Sequence, residues 1–378
     1  MKRINILILF CISIFALPAQ FGEYTLKVEE LSLNNLPALQ SFAIGSKDGK
    51  YLFIGGRKDG LHQRQPFASF LAADNNLTIY VVDVETDESW SASLSTLSTS
   101  LQEQLQSTNM EHYQDGDVLY LIGGYGYSST LGDHTTYASL VAVDVPACIN
   151  AIVNGQNIAP FFKQLSDNRL QVTGGYLSKM GNRFYLVGGQ KFIGRYNPMG
   201  PTHGPGFIQE YTNAIKSFEI LNGTNLQIAN YTEIIDSLDL HRRDYNMLPQ
   251  VFPNGDYGFT AFSGVFQYGA DLPWLNIVDI TESAYQVHPS FNQYLNQYHT
   301  ASCPLYSSSS NDMYSVFFGG ISRYYIDANG IMQDDVNVPF VNTISLVQRN
   351  SSGAMTEIKI GEMPALLGSG AEFVAHDD

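Results

Sequence analysis

With 378 residues, 44% of them apolar, the chain can bury a large core and is long enough for one large all-β unit. Its formal net charge of −16 argues against nucleic acid, whose phosphates require a basic face. Tyr (23) and Phe (22) abound while Lys and Arg together reach only 20, a composition that favours strands over helices.

In chain order, Lys2 and Arg3 precede an apolar run from Ile4 to Leu17, broken only by Asn5 and Ser13. A basic start, an apolar stretch too short for a bilayer and the small residue Ala19 predict a signal peptide over residues 1–19. The mature protein is therefore expected to be secreted or periplasmic, without a membrane span. Phe10 before Cys11 does not suit lipid attachment. Cys148 and Cys303 then remain and fall in non-adjacent units, so both are expected as buried free thiols.

Residues 23–33 (EYTLKVEELSL) read as a strand. From there a device repeats: an apolar run ends in two small residues at Gly55-Gly56, Gly123-Gly124, Gly188-Gly189, Ser263-Gly264 and Gly319-Gly320. The spacing is roughly 66 residues with variable loops, the period of a blade-like unit. Before each pair lies a strand and a turn rich in Gly, Asn and Asp, residues that tolerate positive φ. After each pair come a loop and a second strand pair, so each unit predicts four antiparallel strands, a to d, with the glycines ending strand b. The glycines are expected where neighbouring units crowd the backbone and no Cβ fits. A phosphate-binding loop would need a helix after the glycines, and polar irregular stretches follow instead.

On these residues the sequence resembles the kelch family of β-propellers. The first unit carries the pattern most fully, with Gly55-Gly56 followed by Tyr80, Asp83 and Trp90. The resemblance spans residues 33–375 and implies an all-β, kelch-type β-propeller of five four-stranded blades plus an incomplete sixth, closed by the N-terminal strand. Blades are expected to start near residues 40, 107, 171, 246, 300 and 368, in a single unit from residue 20 to 378. The run at 363–375 reads as the first strand of the sixth blade, and the expectation is either a product truncated before that blade is complete, the favoured reading since an open edge invites aggregation, or an incomplete last sheet with an open edge.

In such a blade, the b–c loops and the d–a connections emerge on one face. Most arginines and histidines fall in those segments: Arg57, Arg64, Arg169, Arg195, Arg242, Arg243 and Arg323, with His62, His134, His203, His241, His288 and His299. Lysine shows no such bias, which points to planar donors that grip anions in a fork. The densest stretch is Asp239–Asn246 (DLHRRDYN), read either as a structural Arg–Asp network between blades or as an anion clamp. If catalytic, the site would use Arg242 or Arg243 to fix a carboxylate and His241 as acid/base. Arg57, Arg169, Arg195, Arg323, His134 and His203 are the expected ligand-binding residues.

The family resemblance implies a carbohydrate ligand, foremost an acidic sugar, as for secreted sialic-acid mutarotases. The copper chemistry of galactose-oxidase-type members would need a cysteine beside a tyrosine, which Cys148 and Cys303 do not suit, and no metal or other cofactor is expected. The alternative is a non-catalytic scaffold presenting loops to a surface protein. Fold alone does not decide between them.

Overall fold

The computed structural model describes residues 19–29, 33–63, 68–197, 207–366 and 371–373. The expected signal peptide, save Ala19, and His203 lie outside the described residues. Among those described, no helix is long and apolar enough to cross a membrane.

The chain opens with a hairpin of β1 (Ala19–Phe21) and β2 (Tyr24–Leu26). The first blade is β3 (Ala43–Lys47), β4 (Lys50–Ile54), β5 (Thr78–Asp83) and β6 (Glu88–Ser93), paired in that order. Helix α1 (Thr99–Leu105) leads to β7 (Thr108–Asp115), β8 (Val118–Ser128), β9 (Asp133–Thr136), β10 (Ser139–Asp144), helix α2 (Val145–Val153) and β11 (Phe162–Ser166). The third unit holds β12 (Tyr176–Met180), β13 (Arg183–Val187), β14 (Gln190–Ile193), β15 (Ile208–Tyr211), β16 (Ala214–Asn222) and β17 (Leu226–Ile235). Then follow β18 (Asn246–Val251), β19 (Tyr257–Phe262), β20 (Ile277–Ile280) and β21 (Tyr285–His288). The last unit comprises β22 (Ala301–Ser307), β23 (Asp312–Phe318), β24 (Tyr324–Ile326), β25 (Met332–Asp334), β26 (Thr343–Arg349) and β27 (Met355–Glu362).

The fold is all-β, with four-stranded antiparallel sheets arranged as in a propeller. Side-chain alternation explains why the b strands are apolar on both faces. Leu119 and Leu121 of β8 pack with Leu52, Ile54 and Val81 of the first blade. Their neighbours Tyr120 and Ile122 pack the other way, on Leu177, Phe184 and Leu186 of the third unit. Tyr185 and Val187 then meet Phe259 and Ala261, and Phe262 meets Phe317. The b strands β8, β13 and β19 are thus each the shared filling of two inter-blade cores.

The small-residue pairs sit at these junctions. The second glycine donates its N–H to the connection entering the next unit: Gly56 to Ser107 O (2.9 Å), Gly124 to Val172 O (3.1 Å), Gly189 to Arg242 O (2.8 Å) and Gly264 to Gln297 O (3.2 Å). A Cβ on Gly123 would stand 1.8 Å from Val172 O, and φ there is +64°. Crowding and a left-handed backbone both require glycine.

Three expectations are corrected. Four blades, not five, are discrete four-stranded sheets (β3–β6; β12-β13-β16-β17; β18–β21; β22-β23-β26-β27). The second unit's β7, β8, β10 and β11 belong to a seven-stranded sheet, because β8 runs on through its glycines to Ser128 and pairs with β9. That strand continues into β14 and β15 of the third unit's b–c excursion. Second, Val145–Val153 is a helix capped by the Asp144 carboxylate on Ala147 N–H, which displaces strand d to β11. Buried Cys148 lies on that helix, and half-buried Cys303 on β22; both are free.

Third, no sixth sheet forms among the described residues, and β2 pairs only with β1. The N-terminal segment instead covers the outer face of the last blade. Phe21, Tyr24, Leu26 and Val28 pack on Tyr314, Val316, Ile344 and Leu346. Tyr24 Oη donates to Tyr306 O at 2.6 Å. On the far side, Leu39 and Phe42 cover Tyr51, Phe53 and Val82 of the first blade.

Candidate functional site

The innermost strands β3, β7 and β12, with the residues leading into β18 and β22, converge on a cavity of about 160 Å³. The residues that enter it repeat one backbone feature: Ser41, Asn109, Gly174 and Asp244 have φ of 53°, 52°, 70° and 49°. Their peptides link the units around the cavity. Asn109 N–H donates to Ser41 O (3.2 Å), Asp244 N–H to Gly174 O (2.9 Å) and His299 N–H to Asp244 O (2.9 Å). Thr173 Oγ1 donates to Asn109 O at 3.0 Å. Left-handed turns in non-glycine residues are strained, and their clustering at a cavity marks a place where structure serves function.

Glu111, His112, Tyr176, Asp244, His299 and Glu372 supply the chemistry of the cavity wall. Glu111, from β7, is buried and accepts the Gly175 N–H at 2.8 Å. Burial pushes its carboxyl up to about 8, so it is mainly protonated at neutral pH. Burial lowers His112. His299 Nε2 lies 3.4 Å from Glu372 Oε1. Burial opposes both charges, yet each partner's field wins: His299 is held above its ordinary value and Glu372 below. The cavity therefore sets a carboxyl that burial raises beside a His299–Glu372 pair whose mutual field favours the charged forms, the separation of roles that acid–base sites use. Among the described residues, no group of three His, Cys, Asp or Glu side chains could hold a metal ion.

The expected arginines are mostly consumed by the protein. Arg57 is buried and forked onto Asp59 at 2.8 Å through Nε and Nη2. Arg169 grips Asp167, and Arg323 grips Asp334, each through Nε and Nη2. Arg195 Nε donates to Ser69 O. Arg242 spends its donors on Asp239 O, Ser263 O, Asn276 O and Asn276 Oδ1, and lies over Trp274. Of the two readings of Asp239–Asn246, the structural one describes Arg242, though its partners are backbone carbonyls and Asn276 rather than aspartates.

Arg243 differs. It is 6% exposed, gives Nη1 to Gln190 Oε1 at 2.8 Å, and lies 4.1 Å over Phe266. Its Nε has no hydrogen-bond partner, and Asp244 Oδ2 stays 3.7 Å away. His241 is stacked between Tyr211 and Tyr268, with Nδ1 on Asn213 Oδ1 at 2.9 Å. Burial first, and Arg243 second, lower its pKa to about 4, so the imidazole is neutral. His134 belongs elsewhere, in an aromatic cluster of the first three units' b–c loops: Phe70, Tyr125, Phe192, Tyr196 and Phe207. Its Nε2 meets Phe70 O at 2.6 Å and its ring packs on Tyr125 and Tyr127.

The structure thus sets Arg243 directly behind the lining residues Gly174 and Asp244, holds His241 in its tyrosine stack outside the cavity lining, and leaves Arg169, Arg323 and His134 apart from it. Sequence reasoning missed Glu111, His112 and Glu372. A signal was present: TNMEHYQD places Glu and His inside an innermost strand, where charge is costly without purpose.

These features define a propeller-like all-β protein with a polar axial cavity. No family model matches the chain, and no curated protein matches it.

Proposed function

We propose that this chain is an exported kelch-type propeller that binds, and through proton transfer processes, a carbohydrate in its axial cavity. One arrangement carries the reading: buried Glu111, whose carboxyl burial lifts to about 8, shares the cavity with His299 and Glu372, 3.4 Å apart. A neutral carboxyl donates a proton or hydrogen bond to a sugar oxygen, while the ionised carboxylate accepts from a hydroxyl. The preference for an acidic sugar now rests on Arg243 alone, a buried cation beside the lining residue Asp244 whose positive field favours an anion near that wall. The crowd of carboxyls inside the cavity favours hydroxyl-bearing rather than charged groups deeper down.

Exposed Leu61, Leu71, Leu131, Ile193 and Ile208 near the aromatic cluster favour the second reading, a loop face that docks a surface protein. A thermal-shift series separates the two. Sialic, uronic, amino and neutral sugars are added to the wild type, Glu111→Gln and Arg243→Ala. A ligand at a hundred times its Kd stabilises by about 2.7 kcal/mol. The carbohydrate reading expects a sugar-specific rise that Glu111→Gln, which keeps a neutral donor, retains and no longer loses at high pH, with Arg243→Ala abolishing only the advantage of acidic sugars. A cooperative melt that no sugar moves refutes it and leaves the docking face.

A further inference from the structure

Tyr268, in the b–c loop of the fourth blade, is 55% exposed, yet its ring is immobilised. One face lies on His241, with centroids 3.7 Å apart and planes 26° from parallel. His241 lies in turn on Tyr211 at 3.7 Å and 27°. The stack is pinned at several points. Asn213 Oδ1 holds His241 Nδ1, and Trp274 Nε1 donates to His241 O at 2.8 Å. The loop is closed on itself by Gln267 N–H to Leu272 O and Gln267 Nε2 to Pro273 O. It also keeps Phe266 at φ +66°, a strained setting for a bulky residue.

Ordering a side chain that stays in water loses entropy without the return of full burial. What the arrangement gains is a flat, rigid aromatic face turned to solvent. The negative face of such a ring attracts polarised C–H groups. Nucleobases, the other common guests of a flat ring, are disfavoured by a net charge of −16. The residue beneath the plate, His241, lies three residues before the cavity-lining Asp244, a chain span of at most about 10 Å, within the reach of a second sugar unit.

We propose that the outer face of Tyr268 is a second carbohydrate subsite, on which a pyranose ring of the axial ligand's neighbouring unit stacks. This rests on the axial reading above, and makes the ligand an oligosaccharide, with its terminal unit in the cavity and the next on the plate.

The test is calorimetric titration of the full chain with mono-, di- and trisaccharides of the glucose, mannose, xylose, N-acetylglucosamine and galacturonate series. Wild type, Tyr268→Ala, Tyr268→Phe and Glu111→Leu are compared, with melting temperatures as a control for folding. The expected result is that a di- or trisaccharide binds at least about tenfold tighter than its monosaccharide. Tyr268→Ala removes that gain and leaves monosaccharide affinity unchanged, and Tyr268→Phe retains it. Equal affinity at all lengths, or a length gain that survives Tyr268→Ala, overturns the subsite. Tighter binding of a lysine- or arginine-rich peptide than of any saccharide overturns it in favour of cation recognition. Binding that depends on Tyr268 but not on Glu111 sinks the axial reading while the plate stands. Absence of all saccharide binding overturns both.

Discussion

Glu111 shows how one side chain carries both stability and chemistry. Its carboxyl rises from 4.5 to about 8 in the folded chain. Between those values the folded state holds a proton that the unfolded state has released, so stability falls as pH rises across that window. Glu357 adds to the same trend: burial lifts it to about 7, although the Tyr294 and Leu295 amides bond to it. The wild type is therefore expected to lose melting temperature from about pH 5 to pH 8, and Glu111→Gln to flatten much of that slope, as scanning calorimetry across pH would show. An identical slope in the variant places the lost proton elsewhere. Arg242 marks the contrasting case of a cation spent on structure. Arg242→Met strands the carbonyls of Ser263 and Asn276 in the core, and should cost about 3 kcal/mol in urea unfolding without altering the ligand profile of whatever folds.

The strand ending in a glycine pair is the element that builds the ring, and two glycines separate its two demands. Gly132 has φ +70° with nothing near its missing Cβ, whereas Gly123 has φ +64° with a carbonyl oxygen at 1.8 Å. Gly132→Ala should cost about 1–2 kcal/mol, the price of the left-handed backbone alone. Gly123→Ala must also separate two units, and is expected to cost well over 3 kcal/mol or to prevent folding. Equal losses in denaturant titration would remove crowding as the reason for the pair. This reason was legible in the sequence, because an apolar run followed by two glycines needs few other contexts. What was not legible is how strands continue past such a pair. VLYLIGGYGYS reads as a strand that stops, yet β8 bends through Gly123-Gly124 and recruits β9, β14 and β15. Periodicity reports which faces are buried and is silent about which distant edge supplies the hydrogen bonds. Helix α2 was missed for a similar reason: VPACINAIV is apolar enough for either element, and the Asp144-Val145-Pro146 start was the signal for a helix.

For the molecule as a whole, the inter-blade cores run in sequence from the first unit to the last, and the two outward faces at the ends are covered by N-terminal residues. Deleting residues up to 28 would bare Tyr314, Val316, Ile344 and Leu346 and remove the Tyr24–Tyr306 bond. A loss of several kcal/mol in guanidinium unfolding is expected from that area, and an unchanged midpoint would show the N-terminal hairpin to be incidental. The candidate site divides along the same line between local and global information. Arginines and histidines in the loops were visible in the sequence, but their partners were not: Asp59, Asp167 and Asp334 neutralise Arg57, Arg169 and Arg323 by folding back within each segment or across one hairpin. The cavity residues Glu111, His299 and Glu372 come from three distant parts of the chain, and only the packing of successive units around the cavity brings them together.

The axial cavity as ligand site is tested most directly by the pH dependence of affinity. The saccharide that most stabilises the protein would be titrated calorimetrically from pH 5 to 9 into the wild type and Glu111→Gln. If protonated Glu111 donates to the ligand, wild-type affinity holds to about pH 7, then falls roughly tenfold per unit above about pH 8, as the donor ionises. Glu111→Gln keeps a neutral donor, so it should bind at every pH about as the wild type does at low pH and show no such fall. Wild-type and variant curves that coincide at every pH would place the ligand away from the axis.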